Sequence, residues 1–596
     1  MPSYKAPVRD TLFLLNDVFQ ISRHADLPGF SDLTPETLQA MLEEAAKLAE
    51  NVITPLNRVG DVEGCQRHPD ASVTTPKGFR EAYQQQAAGG WVGITAPEQY
   101  GGQGLLETLN VVVGEYFSSA SLGFYMYGGL TQGAIAALLA HASDEIKAAY
   151  VPDLIAGKAT GTMNLTEAHA GSDVGLSYAR AHKAADGSYR VTGSKVFISG
   201  GEHDLAENII HLVLARIEGA PHGTKGLSLF VVPKFLPAAN GEPRKPNGVS
   251  CGSIEHKMGI HGNCTCVLNY DDATGWLVGE ENGGMPAMFV MMNHSRLFVG
   301  GQGVGLAEVA YQNAVAYARE RLQGRSLSGA KFPEKPADPI IVHGDVRLML
   351  MSIRAFTEAA RALIISTSLR NDVAIRKNDP AALRDAENHM ALLTPVIKAF
   401  FSDQGFLSTV NAQQIYGGHG YIAENGMEQF VRDSRISQIY EGANGIQALD
   451  LVGRKLGLEG GQVVRAYFAE IESFLNEHAE DPGLAPYVTR TREALGHLQE
   501  ATQWLAKNGA KDRDLVGCGA RDYLQLFGLV ALAHMWCQIA ETVQRKLSEG
   551  AADPYLKAKL VTGQFFVERM LPETQFRLAC VKAGGAGAMD MPAEQF

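Results

Sequence analysis

The sequence predicts an α+β protein in four successive parts. These are an N-terminal helical domain over 1–158, a central small β-barrel or sandwich over 159–280, a helical bundle over 281–456 and an extra C-terminal helical domain over 457–596. Three observations predict it. Apolar residues recur at helical spacing from residue 35, give way to short β-branched and aromatic runs between 189 and 278, and resume helical spacing from about 284. Helices, then strands, then helices point to segregated layers rather than alternating βα units.

The first part opens its main helix at Thr34-Pro35, with Thr as N-cap and Pro at the first helical position. Leu38, Met41, Leu42, Ala45, Leu48 and Val52 then share one face. Residues 128–139 are apolar nearly all round, which predicts a buried helix. In the second part, 189–199, 209–217, 227–232, 267–270 and 276–278 are short runs bounded by Gly, Pro and charge, and they predict strands of an antiparallel barrel or sandwich. In the third part helices continue to about Lys455, broken by a Gly-, Ser-, Pro- and Lys-rich surface loop over 324–339. The last part holds about four helical segments, punctuated at Asp481-Pro-Gly483, Asn508-Gly509 and Asp553-Pro554. No internal repeat is visible.

Bulk composition narrows the function. With 596 residues, 45% hydrophobic and 20% charged, the chain has the make-up of a soluble globular enzyme of several domains. The net charge of -13, with no run of Lys and Arg to offset it, argues against nucleic acid. Seven cysteines, an odd number spread along the chain, suit free thiols in a reducing compartment. Cys264 and Cys266, just after His261, read as buried thiols of a strand rather than metal ligands, so no metal is expected. The start MPSYKAPVRD has no basic-then-apolar signal, and the apolar stretch around 526–533 falls short of the roughly 18 residues a membrane span needs. A cytoplasmic location and a core helix are the expectations. Gly300-Gly-Gln-Gly-Val-Gly305 follows no strand and lacks dinucleotide spacing, so it reads as a close helix crossing.

Four segments carry chemistry. Met163-Asn-Leu-Thr-Glu-Ala-His-Ala-Gly-Ser-Asp173 is small and hydroxylated, suited to a flat ring and a phosphate chain or to a plain polar loop. Lys195-Val-Phe-Ile-Ser-Gly-Gly201 can present Phe197 and Ser199 on one strand face, or simply pack a core. Gln414-Ile-Tyr-Gly-Gly-His-Gly-Tyr421 allows close backbone approach to a ligand or second subunit, or ends a helix. In Arg435-Ile-Ser-Gln-Ile-Tyr-Glu-Gly-Ala-Asn-Gly-Ile-Gln447, Glu441 sits beside Gly442 on a bend ahead of a helix. It is either a carboxylate open to substrate or a favourable dipole partner.

Together, in this order and spacing, these segments resemble the acyl-CoA dehydrogenase family over about residues 35–455. Glu255-His-Lys-Met-Gly-Ile-His-Gly262, Gly275-Trp-Leu-Val-Gly279 and Tyr317-Ala-Arg-Glu-Arg321 add to the match. The C-terminal extension and the Tyr4-Lys-Ala-Pro-Val-Arg-Asp10 start resemble a longer bacterial subgroup. That subgroup includes 3-methylmercaptopropionyl-CoA and broad-range fatty acyl-CoA dehydrogenases. The resemblance implies the acyl-CoA dehydrogenase fold, FAD as cofactor and α,β-dehydrogenation of an acyl-CoA to the trans-2-enoyl-CoA. It makes Glu441 the base that takes the α-proton and sends the β-hydrogen as hydride to flavin N5. It implies that Met163, Leu165, Thr166, Ser172, Phe197, Ser199 and Ala443 line FAD. Arg321 and Gln323 would reach the diphosphate and adenosine end from a neighbouring subunit, and Gln414, Gly417 and Gly418 match a second-subunit contact. Ser172, Asn293, Arg296 and Gly442 would meet the acyl-CoA, with a surface ion pair as the other reading of Arg296.

The chain departs from the family pattern at Ala168-His169 (usually Pro-Gly), at Phe197 (often Trp) and at Ala443 (usually Thr). The segment after Arg321 is one residue shorter, which loosens the assignment of Gln323. Electron-transfer flavoprotein is the expected acceptor and a homodimer the expected assembly. An acyl-CoA oxidase, or a non-catalytic DNA-associated relative on the same scaffold, are the alternatives. Phe124, Tyr125, Met126 and Tyr127 read equally as a cap on the acyl pocket or as core.

Overall fold

The computed structural model describes residues 2–237, 244–509 and 511–596. Along the chain come α1 (Val8–Leu12), α2 (Pro35–Leu48), α3 (Thr54–Glu63), the short hairpin β1 (Gln66–Arg67) and β2 (Val73–Thr74), α4 (Phe79–Ala88), α5 (Glu107–Ala120), α6 (Leu122–His141) and α7 (Asp144–Ile155). The strand region holds β3 (Ala159–Asn164), β4 (Arg180–Lys183), β5 (Tyr189–Ser199), β6 (Asn208–Ile217), β7 (Leu227–Pro233), β8 (Phe235–Leu236), β9 (Lys245–Pro246), β10 (Val249–Ile254) and β11 (Thr265–Val278). Helices follow: α8 (Gly284–Glu320), α9 (Gly344–Lys377), α10 (Pro380–Ile415), α11 (Met427–Arg435), α12 (Asn444–Asp450), α13 (Gln462–Glu477), α14 (Ala485–Gly509), α15 (Arg513–Ser548), α16 (Pro554–Phe565) and α17 (Glu573–Ala583). The chain forms two compact units, one of residues 45–298 and one of residues 1–44 with 299–596.

In the 45–298 unit, β11, β5, β4, β6 and β7 pair in turn, and β7 returns to β11, so five strands close on themselves. This is the expected small barrel, with β10 added to β11 and β3 added to β6. It is mixed rather than purely antiparallel, because β3 and β4 both run parallel to β6. Leu212, Val213, Leu229, Phe230, Val231 and Val232 are all buried, so β6 and β7 are covered on both faces. The runs 267–270 and 276–278 belong to one strand, β11. The intervening Asp271-Asp272, whose charge reads as a turn, makes a bulge with Asp272 at φ 52. Helix α6 is buried along nearly its whole length, as its all-round apolar sequence predicts. Phe124, Tyr125, Met126 and Tyr127 are all buried on it, with Phe124 edge-on to Phe79 and Tyr127 edge-on to His203, which is core packing.

The other unit is helical. Thr34 caps α2 as expected, its hydroxyl accepting from the Thr37 N–H at 3.2 Å. The 300–305 glycines do serve a close crossing: a Cβ on Gly303 would lie 2.5 Å from the Phe401 carbonyl oxygen of α10. The 324–339 segment is a loop closed by a bridge between Leu322 and Pro339. Within it the Asp338 carboxylate accepts from the N–H groups of Ser326 (3.0 Å) and Phe332 (2.8 Å). Among the described residues beyond 457 there are five α-helices where about four segments were expected. The extra boundary falls at Leu571-Pro572, where a wide turn after α16 ends and α17 begins. Helix α15 is the one described helix long and apolar enough to cross a membrane. Its apolar window is 89% buried, and Trp536 donates to the Ala355 carbonyl at 3.1 Å, so it is the core helix of this unit. The N-terminal segment is locked in by buried charge: Asp10 accepts from Arg361 at 2.5 Å and pairs with Lys559 of α16, and Arg361 also meets Glu308 at 3.0 Å.

Candidate active site

The residues expected to line FAD cluster in the barrel unit, where β3 ends and β5 passes. The chain leaves β3 at Asn164, whose side chain accepts from Tyr270 at 2.9 Å. The next residues are tied to β5 from two directions. Val196 N–H donates to the Thr166 carbonyl at 2.9 Å, and the buried Lys195 ammonium donates to the Leu165 carbonyl at 3.0 Å. Lys195 also pairs with Glu167 at 2.8 Å, and both are nearly inaccessible. Glu167 further accepts from the Ser177 hydroxyl and from the N–H groups of Tyr178 (2.7 Å) and Ala179 (3.1 Å). Burial alone would raise the Glu167 carboxyl. The Lys195 charge and these donors outweigh it and hold the group at about 2. Met163, Leu165 and Thr166 are thus fixed by backbone and ion-pair contacts, and Ser172 lies exposed farther along the loop. His169, where the family usually has Gly, stacks on Tyr178 with ring centres 3.9 Å apart.

Phe197 is the anomaly of this face. On β5, Val196 and Phe197 stand opposite the single residue Val267, a bulge that puts Phe197 at φ 60 and leaves it 63% exposed. A bulky residue held in the left-handed region costs of the order of 1–3 kcal/mol and persists where the surroundings enforce it. Bulges of this kind re-aim a side chain. Ile198 next to it is buried, so Phe197 and Ser199 do share the outer face. On the first part of α8, Asn293 is exposed, whereas Arg296 is only 7% exposed. Arg296 is therefore no surface ion pair. His261 donates from Nε2 to the Lys257 carbonyl at 2.8 Å and meets Asp61 through Nδ1 at 3.0 Å. The Asp61 hydrogen bond pushes it up to about 9, and both ring nitrogens are engaged by protein groups.

The second cluster lies in the helical unit, on the bend between α11 and α12. Glu441 sits there at φ 58, followed by Gly442 at φ 85. Beneath the bend, α10 supplies a polar ledge. Lys398, fully buried, donates to the Gly442 carbonyl and to Asn444 Oδ1, both at 2.8 Å. Asn444 Nδ2 in turn donates to Ser402 Oγ at 2.9 Å and to Asp403 Oδ1 at 2.7 Å. Gln447 Nε2 lies 3.2 Å from the Glu441 carbonyl oxygen, and the Tyr440 hydroxyl donates to Gln302 of α8. Ala443 is the N-cap of α12, in extended geometry and with no side-chain hydrogen bond.

The remaining expected residues are exposed on the same unit. Arg321 and Gln323 follow the end of α8, and Gln323 N–H donates to the Asp338 carbonyl at 3.0 Å. Gln414, Gly417 and Gly418 end α10, as a helix-terminal turn would. A Cβ on Gly418 would meet nothing within 4 Å, so no packing among the described residues requires glycine there. Sequence reading overlooked Lys398, Asp403, Gln438, Asn444 and Gln447, which shape the bend. The one local signal was a lysine inside the apolar run Val396-Ile-Lys-Ala-Phe-Phe401.

Helices, a barrel and further helices in chain order, with a braced glutamate bend in the last helical part, define a recognisable class. Family models match successively: acyl-CoA dehydrogenase N-terminal domain over residues 35–158, middle domain over 162–273, C-terminal domain over 282–456, and acetyl-CoA dehydrogenase C-terminal like over 467–592. The chain belongs to the acyl-CoA dehydrogenase family. It is 39% identical over 573 residues to the 3-methylmercaptopropionyl-CoA dehydrogenase of Ruegeria pomeroyi, covering 96% of each chain. It is 32% identical over 592 residues to the broad-specificity linear acyl-CoA dehydrogenase FadE5 of Mycobacterium tuberculosis, again 96% of each. Among solved structures, the fold matches an acyl-CoA dehydrogenase of Bacillus anthracis complexed with FAD, with a TM-score of 0.75 and 22% identity over 98% of this chain and 94% of that one. It also matches Caenorhabditis elegans ACDH-11 in complex with C11-CoA, with a TM-score of 0.76 and 18% identity over 96% and 92%.

Proposed function

We propose that the protein is an FAD-dependent dehydrogenase that forms the α,β double bond of an acyl-CoA thioester, with Glu441 as the base. The observation that carries this reading is the bend itself. A glutamate is held in the left-handed region, ahead of a glycine, by a hydrogen-bonded ledge of buried and half-buried polar groups. An α-hydrogen of a thioester is weakly acidic, and its removal needs a base whose position is fixed before substrate arrives. The electron pair of the broken C–H bond enters the new double bond as the β-hydrogen departs. FAD, when bound, supplies the acceptor for that hydrogen as hydride.

The residues of the barrel unit fit such a group. Phe197 offers an exposed aromatic wall, and Thr166 and Ser199 offer hydroxyls on loop and strand segments fixed by Lys195 and Glu167. Met163, Leu165, Ser172 and Ala443 complete the proposed flavin contacts. Arg321 and Gln323, exposed after α8, would serve a neighbouring subunit's cofactor, and Gln414, Gly417 and Gly418 a subunit contact in a homodimer. Exposed Tyr421 (84%) and Ile422 (48%) beside those glycines support that contact. Ser172, Asn293, Arg296 and the backbone of Gly442 are the proposed acyl-CoA contacts. Electron-transfer flavoprotein is the proposed acceptor, in the cytoplasm.

The test is Glu441→Gln, which keeps shape and removes the base. Anaerobic acyl-CoA should bleach the yellow native enzyme and leave the variant yellow with FAD and acyl-CoA still bound, a loss of at least about 10²–10⁴-fold. Bleaching of the variant at the native rate removes Glu441 from the mechanism. The same assay over short, branched, thioether and long acyl-CoAs assigns the substrate.

A further inference from the structure

We infer that Gln525, on the central helix of the C-terminal extension, is a positioning residue for the bend that carries Glu441; this rests on the reading of Glu441 as the base. Helix α15 is apolar through its middle, and Gln525 interrupts that run between Leu524 and Leu526 while only 4% exposed. A buried amide needs a partner. Gln525 Nε2 donates to Asp403 Oδ2 of α10 at 2.7 Å. The other oxygen of the same carboxylate, Oδ1, accepts from Gln438 Nε2 and from Asn444 Nδ2, each at 2.7 Å. Those two residues stand three positions before and three after Glu441. One carboxylate therefore clamps both ends of the bend, and the extension fixes that carboxylate from the opposite side.

The backbone is shaped for this reach. Gly528, one helical turn beyond Gln525 and on its side of α15, faces Phe400 of α10, and a Cβ there would come within 2.3 Å of the ring. Without a side chain at Gly528, α15 lies close enough to α10 for a glutamine to meet Asp403. If Gln525 is lost, Asp403 keeps only its donors from the bend and can rotate with them. The geometry of Glu441 then loosens together with the Gly442 backbone beside it, while the other proposed acyl-CoA contacts, Ser172, Asn293 and Arg296, lie outside the bend.

The experiment uses the full-length FAD-loaded protein with the acyl-CoA that bleaches the native enzyme fastest. Gln525→Leu removes the donor, and Gln525→Asn, a milder change, shortens its reach. Both should bleach about ten- to a hundredfold more slowly, the scale expected for a base displaced by under an ångström or so. KM should change far less than the bleaching rate, since Gly442 alone of the proposed acyl-CoA contacts lies on the bend, and amide hydrogen exchange over 438–447 should be faster. Gln525→Glu alone should be slow as well. Combined with Asp403→Asn it should recover most of the rate, because the introduced amide can donate to the introduced carboxylate while its oxygen still accepts from Gln438 and Asn444. Native bleaching and native exchange in the Leu and Asn variants, or no recovery in the exchanged pair, overturns the inference. Glu441→Gln run alongside separates the two readings. If it stays yellow while the Gln525 variants behave as native, only the positioning role falls; if it bleaches, the base assignment falls and this inference with it.

Discussion

Replacing Lys195 by Met tests whether the barrel unit's candidate cofactor loop is held by one buried ion pair. The substitution roughly conserves volume but removes the ammonium that Leu165 O (3.0 Å), Glu167 (2.8 Å) and Ser177 Oγ (3.3 Å) share. Glu167 would keep its donors from Ser177, Tyr178 and Ala179 but lose its countercharge in a site where it is about 5% exposed. Breaking a buried pair by removing one partner costs about 3–5 kcal/mol. The pH linkage sets the same scale. Holding the Glu167 carboxyl at about 2 instead of 4.5 is worth about 3 kcal/mol in all, of which Lys195 supplies the largest favourable part and the retained donors the rest. Because the folded value is depressed, this contribution is present above pH 4.5 and is lost as pH falls toward 2. In Lys195→Met the destabilisation should therefore be full at pH 7 and shrink on acidification, as Glu167 takes up a proton. For a unit of this size, about 3 kcal/mol lowers Tm by about 6–12 °C. The assay is thermal unfolding of native and variant at pH 7 and pH 4, followed by flavin absorbance for cofactor release. A variant with native Tm at pH 7, or a deficit that grows on acidification, refutes the reasoning.

Two further outcomes follow from the bend around Glu441. Glu441→Gly relieves the left-handed strain at φ 58, so it should raise stability by about 1 kcal/mol or more in denaturant titration while abolishing bleaching. A loss of stability would show that the Glu441 side chain anchors the bend rather than being held by it. Ala443→Thr supplies the missing cap of α12 at a residue already in extended geometry. It should stabilise the enzyme by about 1 kcal/mol and tighten FAD retention under dilution. Unchanged melting and unchanged FAD loss would mean that the hydroxyl finds no partner there.

What could be read from sequence was local. The strand over 189–199 has its expected bounds because alternation and β-branching mark it residue by residue, and the start of α2 follows from Thr34-Pro35. Where a local sign has two physical meanings, reading failed. Asp271-Asp272 separates two apolar runs yet is a bulge within one strand, and the absence of a glycine or turn cluster around 566–570 hides the break before α17. Arg296 looks like a surface residue by type, yet it is buried. Apart from the lysine inside the apolar run of α10, the ledge under Glu441 could not be read, because it joins Lys398 and Asp403 of α10 to Asn444 of α12 and Gln525 of α15, far apart in sequence.

Two residues of the proposed site, Phe197 and Glu441, stand in a backbone conformation that seven other described non-glycine residues also adopt. Neither Phe nor Glu favours the left-handed region, and nothing in their local sequence forces it on them. Phe197 is driven there by a bulge against β11, and Glu441 by a bend hydrogen-bonded to α10. The two residues assigned to the flavin wall and to the base are thus both placed against their own preference by distant parts of their units. In the proposed function, a cofactor face and a proton-abstracting carboxylate each need a side chain aimed outward from a rigid support, and both placements fit that need.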